Sequence, residues 1–134
     1  MKMKVMRVDR RTCLVVTLLA GCVCLFTSCD RQVLVAGHVS DSQHRPLGHA
    51  TVDLNGVKKE TDENGCFYFG EVSGSSEMIL RVAKVGHRQY QDSKALGTYI
   101  IVVTLVQEDS EQQSSAVWQR SMVGEMSKYK NCSE

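Results

Sequence analysis

The residues of this 134-residue chain best suited to covalent or metal chemistry are six cysteines and four histidines. Cys13, Cys22 and Cys24 fall in the uncharged stretch Thr12 to Thr27, Cys29 follows at once, and only Cys66 and Cys132 lie further along. These last two can form a disulfide in an oxidising compartment if their Cα atoms come within about 4.4–6.8 Å. Among His38, His44, His49 and His87, the pair His38 and His49 is expected on adjacent strands that pair, with both rings on one outward face. A closed metal site asks for a tighter pattern, such as His-x-His or Cys-x-x-Cys, and the chain has neither. Asp62-Glu63-Asn64-Gly65 lacks the ligand spacing and closing glutamate of a calcium loop. No serine stands in a Gly-x-Ser-x-Gly elbow. The expectation is no catalytic residue, no metal, no cofactor, and a chain that is not an enzyme.

Cys29 has a different context. Residues 1–11 carry Lys2, Lys4, Arg7, Arg10 and Arg11 against one acid, Asp9, and the uncharged run follows. A positive start and a short apolar stretch form the pattern of an export leader. The run is short for a membrane span, which takes about 20 apolar residues; a retained N-terminal anchor is the alternative. Leu25-Phe26-Thr27-Ser28-Cys29 resembles a bacterial lipobox, with small residues beside the scissile bond and a thiol to accept diacylglycerol. Phe26 departs from the usual aliphatic residue three before the cysteine. The resemblance implies lipidation at Cys29, with acyl chains of the palmitate type. Ordinary secretion would instead leave Cys29 a plain thiol. Asp30 resembles the inner-membrane retention signal of enterobacterial lipoproteins, a rule that does not extend to all bacteria.

Removing the leader changes the charge. The full chain is +1 from 16 bases and 15 acids; residues 29–134 keep 11 bases against 14 acids, a formal −3. A mildly acidic body lacks the clustered basic surface that nucleic acid requires, so no nucleic-acid partner is expected.

The elements that must hold these residues are strands. Val33, Val35 and Val39 alternate with Leu34, Ala36 and His38, and Gly37 allows a bulge or a close approach. Residues 41–48 read as a loop around Pro46, the single proline. Ala50, Val52 and Leu54 then alternate with polar neighbours, and Asn55-Gly56 is the signature of a type I′ hairpin. A polar strand Val57 to Thr61 and the turn 62–65 lead to Cys66, Phe67, Tyr68 and Phe69, with Phe67 and Phe69 on one face. Residues 70–76 read as a loop. Met78, Leu80 and Val82 share a face, Arg88-Gln89-Tyr90 begins a short polar strand, and Tyr99 to Val106 reads as a central strand buried on both sides. Six or seven strands and no amphipathic helix predict a small all-β sandwich. Gln107 to Ser115 is polar and acidic, a linker. Beyond it, Ala116 to Tyr129 forms either a short helix or a loose tail, with Trp118 packed on the sandwich or left for a partner.

Gly37-His38-Val39-Ser40-Asp41, Pro46-Leu47-Gly48-His49-Ala50-Thr51-Val52 and Thr61-Asp62-Glu63-Asn64-Gly65-Cys66-Phe67 together resemble the carboxypeptidase regulatory-like domain, a transthyretin-like β-sandwich. Val85 to Tyr90 is similar to that family's Gly-aromatic turn, with His87 in place of the aromatic, and Tyr99 to Leu105 to its last strand. The resemblance covers about residues 33–107. It implies a fold and no catalytic residue, since its motifs are turn and core positions. Hydroxyisourate hydrolases of related fold end in Tyr-Arg-Gly-Ser, whereas this chain ends Tyr129-Lys-Asn-Cys-Ser-Glu.

The expected organisation is a lipoprotein signal peptide over 1–28, a lipidated tether over 29–32, the sandwich over 33–107, and a polar flexible tail over 108–134. The expected function is a membrane-anchored, non-catalytic binding or scaffolding lipoprotein of the bacterial cell envelope, facing the periplasm or the exterior. An envelope protein or glycan is the expected partner, met by loops 41–48, 62–65 and 70–77. The alternative is a small envelope enzyme or metal-dependent protein built on the His38/His49 face.

Overall fold

The computed structural model describes residues 31–74 and 76–132. Lipidation at Cys29 and the leader lie outside the described residues. Among the described residues there are eight strands: β1 (Arg31–Asp41), β2 (Thr51–Leu54), β3 (Val57–Glu60), β4 (Cys66–Gly74), β5 (Glu77–Ala83), β6 (Tyr90–Ala95), β7 (Thr98–Leu105) and β8 (Ser115–Arg120). They form an all-β sandwich of two four-stranded sheets, ordered β4-β1-β7-β8 and β3-β2-β5-β6. Every pairing is antiparallel except that of β1 with β7.

Alternation explains the packing. Val33, Val35 and Val39 of β1, Phe67 and Phe69 of β4, and Tyr99, Ile101, Val103 and Leu105 of β7 point inward from one sheet. Val52 and Leu54 of β2 and Met78, Leu80 and Val82 of β5 meet them from the other. Asn55 (φ 51°) and Gly56 (φ 89°) turn β2 into β3 with the backbone a type I′ turn requires. Gly37 stands where β1 and β7 come closest: a Cβ there would run into the Ile101 carbonyl.

Four expectations are corrected. Residues 70–74 are strand, because β4 stays paired with β1 as far as Gly74↔Arg31, across an irregularity between Val33 and Val35. The strand from Thr98 is central but not buried on both sides: Ile100 is half-covered and Val102 is 45% exposed. The tail is not loose. Ser115–Arg120 pairs with β7 as an edge strand, raising the strand number to eight. The 3-10 helix Val123–Tyr129 then lies on the outer face of β1 and β4, burying Met126 and Tyr129 against Ala36 and Cys66. Of the two readings of 116–129, short helix or loose tail, neither holds for its first part, which is strand.

β1 gives the sandwich two distinct ends. At its start, Arg31 faces Gly74 and Leu34 faces Thr98, while Ser121 donates its backbone N–H to the Thr98 carbonyl. The turns β4–β5 and β6–β7 and the end of β8 therefore gather there. At its finish, Asp41 faces Leu105. Loop 41–50, turn 62–65, the β5–β6 turn and the segment after β7 gather at that end, tied by Arg88 N–H to the Val106 carbonyl and Glu108 N–H to the Gly86 carbonyl.

Candidate functional site

The loop end is built from short side-chain braces. Asp41 accepts hydrogen bonds from the backbone N–H groups of Gln43 (2.8 Å) and Arg45 (2.9 Å) and from Arg45 Nε (2.7 Å), which fixes the first loop. Burial works to raise the Asp41 pKa, but these bonds and the Arg45 charge outweigh it and hold the carboxyl below its ordinary value. Thr61, buried, accepts from Ala50 N–H and donates to the Leu47 carbonyl at 2.6 Å. Asp62 accepts from the N–H groups of Asn64 and Cys66, an Asx turn, and Gly65 completes it at φ 71°.

Cys66 and Cys132 are joined as a disulfide, with Cα atoms 5.4 Å apart. It staples the segment after the 3-10 helix to the start of β4. With Asp62 they form a set of three potential ligand groups whose atoms lie within 4.8 Å of one another. Both sulfurs are spent on each other, so thiolate ligation there would first require reduction. His38 pairs across the strands with Cys66, and its ring meets Tyr129 edge-on at 5.6 Å.

The expected His38/His49 face does not form. His38 is on β1 and His49 lies two residues before β2, and those strands belong to different sheets. The intervening loop carries the chain from one layer to the other, so the two segments never pair. His44 lies in that loop at φ 61°.

His49 instead joins a second imidazole. Together with Thr51, Lys84, His87, Arg88 and Glu108 it lines an open cleft of about 500 Å³ at the loop end. His49 holds a left-handed backbone (φ 55°), rare for a residue with a side chain, and its Nδ1 lies 3.5 Å from Glu60 Oε2. Lys84 donates from Nζ to the Gly48 carbonyl at 2.8 Å, and His87 Nδ1 lies 3.2 Å from the Val85 carbonyl. Arg88 Nε is buried without a hydrogen-bond partner, the single such side-chain atom among the described residues. The sequence reading missed this cleft; its one local signal was the basic turn Lys84-Val85-Gly86-His87-Arg88.

Comparison with known proteins is sparse. No protein-family model matches the chain, and no curated protein matches it by sequence. Solved structures similar to it include 3-chlorocatechol 1,2-dioxygenase from Rhodococcus opacus 1CP (14% identity, TM-score 0.45, 58% of this chain and 60% of that one). Catechol 1,2-dioxygenase from Pseudomonas arvilla C-1 is similar at 12% identity and TM-score 0.44, over 67% of this chain and 57% of that one. The enzyme from Acinetobacter sp. ADP1, inhibited by bound mercury, follows at 13% and 0.38, over 57% and 51%. The chain thus spans less than two thirds of each. These neighbours are enzymes, and the expectation that the chain is not an enzyme is withdrawn on that finding. Likeness at this level assigns it no reaction. Among the described residues no helix is long and apolar enough to cross a membrane.

Proposed function

We propose that the chain is a lipoprotein of the bacterial cell envelope whose sandwich presents its loop end to a partner away from the membrane. The observation that carries the reading is the direction of β1. The strand begins at Arg31, two residues after Cys29, and two residue steps span at most about 7 Å of chain. Acyl chains on Cys29 would therefore hold the Arg31 end against the bilayer. β1 runs 11 residues to Asp41, and ten steps at about 3.3 Å put the loops roughly 33 Å further out. The resemblance to carboxypeptidase regulatory-like domains adds a family in which such sandwiches serve beside larger envelope or surface modules. Several buried acyl chains, at about 0.8 kcal/mol per methylene, make such an anchor stable without a spanning helix.

The test is the intact mass of protein extracted from membranes of a bacterial host, beside a Cys29→Ser variant. The expected mass is that of residues 29–134 plus diacylglycerol and an N-acyl chain, absent in the variant, which should leave the membrane fraction. An unacylated mass from membranes, or an unchanged mass in the variant, would overturn the reading.

A further inference from the structure

The cleft at the loop end has a chemistry of its own. Lys84 and Arg88 are the bases of the cleft, beside the rings of His49 and His87; Glu108 is the one acid among its lining residues, and Glu60 lies 3.5 Å from His49. Charge-assisted hydrogen bonds from lysine and arginine favour an oxyanion over any neutral group. Arg88 supplies the second observation. Its Nε–H is buried with no hydrogen-bond partner, a state native proteins rarely leave, and a bound water or ion is among the accepted explanations. The left-handed backbone at His49 is a third, because strained residues collect where a binding surface needs a fixed geometry.

The position selects the kind of ligand. The cleft lies at strand ends, where β2 starts and where β5 turns into β6, so it offers no free ladder for an extended peptide to join. Its remaining polar groups, the Thr51 hydroxyl and the Gln89 amide, suit hydroxyl-bearing ligands. We propose that this cleft binds the carboxylate group of an acidic glycan. The proposal rests on the envelope reading above for its choice of ligand, since an outward loop end would meet such polymers. Arg88 and Lys84 hold the oxyanion, and Thr51 and Gln89 hydrogen-bond the sugar hydroxyls.

The experiment is calorimetric titration of the full chain, purified in detergent, with a trigalacturonate, with inorganic phosphate and with a short polyglutamate peptide. Arg88→Gln and Lys84→Gln should each weaken the uronate about tenfold, and Glu108→Gln should strengthen it about twofold. Circular dichroism of each variant separates lost binding from lost folding. Because Lys84 and Glu108 carry opposite charge, their opposed effects are a signature that misfolding cannot produce. Absence of uronate binding, or equal losses in all three variants, would overturn the proposal. So would phosphate or polyglutamate binding as tightly as the trisaccharide. The titration reads the cleft whether or not Cys29 is acylated, so failure here and failure of the anchor are separately visible.

Discussion

Trp118 donates its indole N–H to the Tyr90 hydroxyl at 2.8 Å, joining β8 at the edge of one sheet to β6 at the edge of the other. Tyr90 passes the chain on, donating to Asp92 Oδ2 at 3.2 Å, while the Trp118 ring meets Tyr99 edge-on at 5.5 Å. The contact closes one open side of the sandwich. Burial, with the adjacent Asp92 charge, pushes the Tyr90 hydroxyl above its ordinary pKa, so it stays a neutral donor and acceptor across the working range.

Breaking either half of this link should cost measurable stability. Trp118→Phe keeps an aromatic against Tyr99 but removes the donor, and about 1–2 kcal/mol is the expected loss. Tyr90→Phe strands the indole N–H in a half-buried site, at a similar or larger cost of about 1–3 kcal/mol. Urea unfolding at neutral pH measures both. A shift below a few tenths of a kcal/mol in either would mean that the two edges are held together by other contacts.

Thr61 offers a sharper case, because one buried hydroxyl serves two backbone groups. It accepts from Ala50 N–H at 2.9 Å and donates to the Leu47 carbonyl at 2.6 Å. Thr61→Val is nearly isosteric and leaves both unpaired, for an expected loss of about 2–4 kcal/mol, while Thr61→Ser should retain most of the stability. Equal melting temperatures for the Val and Ser variants would refute this account of loop 41–50.

Much of this architecture is legible in the residues themselves. Asn55-Gly56 and the alternation Met78, Leu80, Val82 are local signals with one physical meaning each, and Gly37, readable as a bulge or a close approach, is the second. The last strand is not legible in that way. In Ser115–Arg120 only Ala116 and Trp118 are half-buried against the core, and Arg120, next in the alternation, is exposed with its guanidinium 6.0 Å from the Tyr99 ring centroid. Two half-buried positions followed by an exposed cation are too weak an alternation to read, and the strand exists because β7 offers an open edge. The failed pairing of His38 with His49 has a similar cause. Sequence alternation shows which residues share a face of one strand, but not that loop 41–50 carries the chain into another sheet. The cleft was hidden for the same reason, since His49, Arg88 and Glu108 come from three separated segments.

Acid should weaken the fold in part through Asp41. Its folded pKa lies below the ordinary 3.8, so its contribution is fully present above that value and is lost as pH falls through the folded pKa. Asp41→Asn removes the Arg45 ion pair at every pH. The variant should be less stable than the parent at pH 7, and the gap should narrow steadily below about pH 4. Paired unfolding curves from pH 7 to pH 2 test it. A gap that stays constant with pH would show that the Asp41 carboxylate gains nothing from folding.

The disulfide should matter more than any of these single contacts, and through the unfolded chain. Cys66 and Cys132 close a loop of 66 residues, for which the chain-entropy relation gives about 4 kcal/mol. The bond also pins the 3-10 segment whose Met126 and Tyr129 cover Ala36 on the outer face of β1. Cys132→Ser should therefore lower stability by several kcal/mol and, in the still-folded protein, free the C-terminal segment. Trypsin should then cut at Lys128 and Lys130 well before global unfolding, and mild reduction of the parent should reproduce the pattern. The inward faces of both sheets are filled without the segment, so the core strands should keep their amide protection. Simultaneous loss of protection in β1, β5 and β7 would show instead that the staple holds the whole sandwich, not its outer cover.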